Sequence, residues 1–197
     1  MARPKSVPLP PADFSSRDLP LETIASGSRL VRIHRSELDP IYFGASARNR
    51  FDDPAKTYGV GYFSMSEEGA FAETCLRAVG TRFVQLSFLE ARSFSDIEIR
   101  KPIQLVSLHG PGLAQLGATG AVSSGLHPPA RQWSKAIHDH PAKPDGIAYR
   151  SNHDNGELCI ALFEQSRRSL HAHPSQPIMA DRSRLASLLA RYKMGLG

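Results

Sequence analysis

The chain has 197 residues, 41% hydrophobic and 22% charged, a composition that excludes a disordered or fibrous protein and a length that suits one domain. No apolar run approaches the roughly 20 residues of a membrane-spanning helix, and the N-terminal Met1-Ala2-Arg3-Pro4-Lys5 lacks the apolar core of a secretory signal; the cytoplasm is the expected compartment. The formal net charge of +5 favours anionic partners. Because the basic residues are scattered rather than gathered in a block or aromatic-interleaved strip, direct nucleic-acid binding is not expected.

Residues 1–22, rich in proline and polar residues, read as a flexible arm on the surface, with the folded part at 23–197. Leu30-Val31-Arg32-Ile33-His34-Arg35 alternates apolar and polar side chains and predicts a half-buried strand, with Arg32 and His34 opposite Val31 and Ile33. The stretch from Asp39 to Ala55 has no periodicity and reads as a loop. Gly59 to Met65 predicts a second strand. Ser66-Glu67-Glu68 then offers a capping residue and first-turn acids for a helix running to about Val79 and stopped by Gly80. Along it Ala70, Phe71, Thr74, Cys75 and Ala78 form the apolar stripe, and Glu73 borders it.

Further strands are expected at Phe83–Phe88 and Ile103–Leu108, with another around Ile97. Pro128 opens a helix through Trp133 to His138 that Pro141 ends. Asp145-Gly146 and Asp154-Asn155-Gly156 mark turns around two apolar segments, 147–151 and 158–163, which read as a hairpin. A last helix spans about Arg182 to Lys193. The sum is an α+β single domain, a mainly antiparallel sheet with surrounding helices. Cys75 and Cys159 have neither metal-ligand spacing nor a second pair beside them, and are expected to be reduced and buried. His138-Asp139-His140 and His171-Ala172-His173 lack the helical spacing of a metal-ligand pair, so no metal is expected.

Five polar residues interrupt otherwise apolar segments: Arg32 in VRIHR, Arg50 in RFDDP, Tyr62 and Glu73 in GVGYFSMSEEGAFAET, and Ser151 in DGIAYRSNHDNGELCIALFE. In that order, over about residues 29–165, they resemble the RES-domain family, whose name refers to arginine, glutamate and serine positions. This chain departs from the common pattern before Arg50, where Arg48-Asn49 replaces a glycine pair, and after it, where Asp52-Asp53 replaces an asparagine. The resemblance implies a fold similar to the ADP-ribosyltransferase toxins, consumption of NAD as substrate with no further cofactor, and a partner antitoxin with a helix-turn-helix, Xre-like part.

On that resemblance, Glu73 is expected to stabilise the positive charge that develops on ribose as the nicotinamide bond breaks, as carboxylates do in glycoside cleavage. Arg32 and Arg50 are expected to grip the diphosphate through their guanidinium forks. Tyr62 would stack on nicotinamide and aim its hydroxyl at ribose or phosphate, and Ser151 would bond the amide or a ribose hydroxyl. The resemblance leaves the acceptor open: water or phosphate in a glycohydrolase or phosphorylase, a protein group in a mono-ADP-ribosyltransferase. A catalytically silent binding module with the same fold is the alternative from another class. For the residues alone the plainer roles are an exposed Glu73–Arg77 helical ion pair, solvated arginines, a core tyrosine and a turn serine.

Overall fold

The computed structural model describes residues 7–77 and 80–197. In chain order it runs through β1 (Leu21–Ile24), β2 (Arg29–Arg35), β3 (Val60–Ser64), α1 (Glu67–Cys75), β4 (Phe83–Val84), α2 (Leu86–Glu90), β5 (Arg92–Ile99), β6 (Ile103–Ser107), α3 (Gly110–Leu116), α4 (Ala121–Ser124) and α5 (His127–Asp139). It continues through β7 (Gly146–Arg150), β8 (Leu158–Phe163), β9 (Leu170–Ala172), β10 (Gln176–Pro177), α6 (Arg182–Arg191) and β11 (Gly195–Leu196). The main sheet is nine-stranded, ordered β1-β6-β7-β8-β3-β2-β5-β10, with β9 also on β5. Its pairs are antiparallel except β6 with β7. This is the expected α+β architecture, and β7 and β8 form the antiparallel pair read from the turn signals.

The feature that makes room for a site is the junction of β2 and β3. β2 pairs with β5 along its whole length, from Arg29↔Glu98 to Arg35↔Arg92, whereas on its other side Val31↔Ser64 is its one registered pair with β3. The two strands therefore part almost at once. The edge of β3 left bare is taken by the loop after β2, where Gly44 bridges Val60. Phe43 packs against Phe63 there, with ring centroids 6.4 Å apart.

Apolar packing comes in three clusters. Val31, Ile33, Ala70 and Phe71 join α2 and α6 through Leu89, Leu185, Leu188 and Leu189. Phe51, Val60, Trp133, Ile147, Tyr149 and Phe163 bind α5 to β7 and β8. Leu30, Phe63, Ile97, Leu105 and Ile160 fill a third. β2 is covered on both faces: His34 is buried and its Nε2 pairs with the Ser95 hydroxyl at 2.8 Å.

Several expectations need correction. The arm at 1–22 is not loose where it is described: Phe14 is 4% exposed and meets the Trp133 ring edge-on at 5.5 Å. Trp133 Nε1 also donates to the Pro8 carbonyl at 2.7 Å, and Leu21 already belongs to β1. Residues 1–6 lie outside the described residues, as do Ala78 and Val79 of the expected first helix, which ends earlier, at Cys75. The strand expected at Phe83–Phe88 stops after Val84, because its parallel partner β11 offers only Gly195 and Leu196, and the chain turns into α2 instead. Around Ile97 the strand is long and central, paired with β2 on one side and with β9 and β10 on the other. α3 and α4 were not foreseen, since glycines open and close both and read as loop signals.

If the N-terminal segment is part of the packed structure, Phe14→Ala should lower unfolding stability by about 3 kcal/mol, the usual cost of emptying a buried aromatic site. A urea-melt midpoint equal to wild type would return this segment to the status of a loose arm.

Candidate active site

Where β2 and β3 part, a cleft of about 540 Å³ opens, lined among others by Arg32, Arg50, Tyr62, Glu73, Arg77 and Tyr149. Four of the five residues singled out from sequence therefore line one cleft, from β2, the loop after it, β3 and α1. Ser151, at the end of β7, sits just behind the lining and reaches it through Glu73.

Glu73 is presented by α1, which starts cleanly. The Ser66 hydroxyl accepts from Gly69 N at 2.9 Å, and itself donates to the Glu157 carboxylate, while Glu67 and Glu68 occupy the first turn, where acids are favoured. Gly69 is required for the helix to lie this close: a β-carbon there would stand 2.2 Å from Ser64 Oγ. The Glu73 carboxylate accepts a 2.6 Å hydrogen bond from the Ser151 hydroxyl at Oε1. Arg77 does not pair with that carboxylate. Its Nε donates instead to the Glu73 backbone carbonyl at 2.7 Å, so the helical ion pair is not what holds Glu73.

Ser151 is 3% exposed, and its oxygen also accepts from His153 N at 3.1 Å and Asp154 N at 3.2 Å. With its one hydrogen given to Glu73, it has none left for a ligand amide or sugar. Here it braces the carboxylate and pins the turn that follows β7. The Tyr62 hydroxyl is engaged in a similar way. It donates to Asp52 Oδ1 at 2.9 Å and accepts from Phe51 N at 2.9 Å, so the ring borders the cleft while the hydroxyl serves the loop behind it.

That loop is organised by Asp52, whose side chain is fully buried. Besides Tyr62, it accepts from Ser46 Oγ at 2.9 Å, from the backbone amides of Arg48 and Asn49 at 3.0 Å, and from Asn49 Nδ2. A buried carboxylate is tolerable only with such a ring of donors. Asp53, also fully buried, closes the next turn by accepting from Ala55 N, Thr57 N and Thr57 Oγ1. Burial pushes its carboxyl up, but the Thr57 hydroxyl and amide and the Ala55 amide outweigh that and hold it below the usual range. The residues that depart from the family pattern are thus the ones that shape the loop carrying Arg50.

The two arginines are anchored alike. Arg32 Nη1 donates to the carbonyls of Pro40 at 2.8 Å and Tyr42 at 2.9 Å, tying down the loop that covers β3. Arg50 Nη1 donates to the Gly125 carbonyl at 2.6 Å and more weakly to Val122 at 3.4 Å, tying down the turn between α4 and α5. Among the described residues neither forms an ion pair, and no other N–H of either fork has a protein partner. Burial pushes Arg32 down to about 10, against the pull of the Asp39 carboxylate; it also lowers Arg50, opposed by Tyr149, Glu73 and Tyr62. Two cations are therefore partly desolvated without a counter-ion, an arrangement suited to an anion.

Asn49, Thr74, His127, Asn152 and His153 also line the cleft and were not foreseen there. Thr74 read as part of the apolar stripe of the first helix; Asn49, Asn152 and His153 lie in loops beside or within the matched motifs, and His127, at the start of α5, had no signal in the sequence. The histidine pairs serve structure. His138 stacks on Tyr58 at 3.6 Å, His140 Nε2 pairs with the Arg17 carbonyl, and the rings of His171 and His173 touch edge-on. Among the described residues no group of three or more His, Cys, Asp or Glu could hold a metal, and Cys75 and Cys159 are free thiols. No helix among them is long and apolar enough to cross a membrane.

A mixed α+β sheet split over a cleft with one carboxylate and uncompensated guanidinium groups defines a class, and comparison with known proteins identifies it. Residues 29–186 match the RES domain, and the chain belongs to that family. It is 32% identical over 122 residues to "Probable toxin y4kH" of Sinorhizobium fredii (strain NBRC 101917 / NGR234), covering 60% of this chain and 95% of that protein. Its fold is similar to a chain of the M. tuberculosis MbcT–MbcA toxin–antitoxin complex, with a TM-score of 0.64 at 15% identity over 87% of this chain and 91% of that one.

The loop's dependence on its buried carboxylates is testable. Asp52→Ala should destabilise the fold by about 3 kcal/mol or more, since several buried donors lose their partner together. Asp53 gives a pH signature. Its folded-state value is depressed, so its contribution is present above the unfolded value of about 4 and is lost as pH falls below it. Urea melts between pH 3 and 6 should show a shallower acid loss for Asp53→Asn than for wild type; parallel curves would contradict the assigned bonding.

Proposed function

We propose that the protein consumes NAD, breaking the bond between nicotinamide and ribose, and acts as the toxin of a toxin–antitoxin pair. The observation that carries the chemical half is the pairing, in one cleft, of a carboxylate held from behind by a hydroxyl with two guanidinium groups that have no counter-ion. A dinucleotide presents the complement of both: a diphosphate for the arginines and a nitrogen-glycosidic sugar on which positive charge grows as nicotinamide leaves. Family membership and the name of the Sinorhizobium relative support the toxin half.

In this reading Arg32 and Arg50 bind the diphosphate with the fork nitrogens that face no protein acceptor. The carbonyls behind them fix each fork without cancelling its charge. Glu73 stands beside the anomeric carbon and stabilises the oxocarbenium-like transition state; its field counts for more in a cleft than in open water. Ser151 keeps the carboxylate aimed, and Tyr62 gives the nicotinamide end an aromatic wall. The acceptor that finally takes the ribosyl carbon is water or phosphate. A separate helix-turn-helix antitoxin is the proposed partner; an acidic segment on it would complement the arginines of the cleft.

Glu73→Gln provides the test. The amide oxygen can still accept from Ser151, so folding should be kept, while loss of the charge should cut nicotinamide release by about 100-fold or more. Expressed without a partner, wild type should deplete cellular NAD before growth stops, and the variant should do neither. Growth arrest by Glu73→Gln equal to wild type, with NAD unchanged, would overturn the proposal.

A further inference from the structure

The cleft contains two tyrosines, and they differ in what their hydroxyls are free to do. Tyr62 spends its hydrogen on Asp52 and accepts from Phe51 N. Tyr149, on β7 two residues before Ser151, is 3% exposed and lines the cleft. Its ring is fixed against Phe51 at 4.8 Å, within the cluster that joins α5 to the sheet. Yet among the described residues its hydroxyl makes no hydrogen bond, and the charged groups that act on it are Glu73 and Arg50. Among the described residues the Tyr58 hydroxyl is the buried side-chain oxygen left without a partner; the Tyr149 oxygen is not sealed in that way but meets the cleft, above a ring packed on Phe51, and is open to a group that enters there.

Glu73 carries the matching vacancy. Ser151 occupies Oε1, and Oε2 has no hydrogen-bond partner among the described residues. A neutral hydroxyl donor and a carboxylate acceptor thus share one wall of the cleft. Burial, reinforced by Glu73, raises the phenol well above its ordinary value, so it keeps its proton at neutral pH. Hydroxyl groups of a sugar, each both donor and acceptor, match such a wall better than an apolar or purely anionic group would.

We infer that the Tyr149 hydroxyl is a substrate-binding group that donates a hydrogen bond to a ribose hydroxyl while the free oxygen of Glu73 accepts one from the same sugar. This rests on the proposed NAD reading and adds a contact to it. The bond helps hold the reacting sugar over the carboxylate, and it exists only when the cleft is filled.

The test is Tyr149→Phe, read three ways. Thermal unfolding of the free protein should be unchanged, because the variant removes an oxygen that no protein group bonds and leaves the ring packing. Binding of ADP-ribose, which carries the sugar and diphosphate without a bond to cleave, should weaken about tenfold, and kcat/KM for nicotinamide release should fall by at least a similar factor. A variant that binds ADP-ribose and turns over NAD like wild type overturns the inference and leaves the proposed function standing. A drop in activity matched by a lowered melting temperature overturns it too, since that marks a structural role. Wild type that binds ADP-ribose more tightly than the variant but leaves NAD intact sinks the proposed reaction and keeps the sugar contact; no binding and no turnover by wild type removes both.

Discussion

Desolvated positive charge without a counter-ion is the constraint on which the cleft depends. Arg32 and Arg50 are each drawn partly out of water and tied through one nitrogen to backbone carbonyls, not to carboxylates. A neutralising Asp or Glu at either place would have been the more stable arrangement for the empty protein. Carbonyl anchoring fixes the direction of the fork but leaves the charge to be satisfied by a ligand. It also makes each arginine a fastener: Arg32 secures the loop that replaces β2 along β3, and Arg50 secures the turn between α4 and α5.

The rest of the architecture can be followed from that arrangement. β2 and β3 share the single registered pair Val31↔Ser64, and the gap beyond it is the cleft. The loop that carries Arg50 has no regular backbone pairing of its own, so its polar groups converge on the buried carboxylates of Asp52 and Asp53. Tyr62 joins this hub to β3. On the opposite wall, Ser151 couples the end of β7 to Glu73 on α1. In the proposed reaction Glu73 and the two arginines are therefore each held from behind, by a side-chain hydroxyl or by backbone carbonyls, which limits the reorganisation left for the moment of bond cleavage.

Much of this was legible in the sequence, where a local pattern and a tertiary demand agreed. The alternation in β2, the Ser-Glu-Glu start of α1 and the two turn signals around β7 and β8 each named the right element, and the spacing of matched motifs named four cleft residues. What escaped depended on partners distant in the chain. Whether Phe83–Phe88 forms a strand is decided by how much edge β11 provides, and no local propensity records that. The packing of Phe14 on Trp133 likewise joins segments more than a hundred residues apart. A sequence does not reveal that Asp52 and Glu73 occupy the hydroxyl hydrogens of Tyr62 and Ser151, nor that Ser151 stands behind the cleft lining. Tyr149 stood inside the matched motif DGIAYRS with no role of its own, because only the structure shows that its oxygen faces the cleft without a protein partner.

The central claim is that this cleft cleaves NAD at the nicotinamide bond. It is tested most directly by incubating purified protein with NAD, with and without inorganic phosphate, and identifying the products by mass. The account predicts nicotinamide released in equal amount with ADP-ribose when water is the acceptor, or with its phosphorylated form when phosphate is. NAD recovered intact from both incubations, with protein that remains folded throughout, would contradict it.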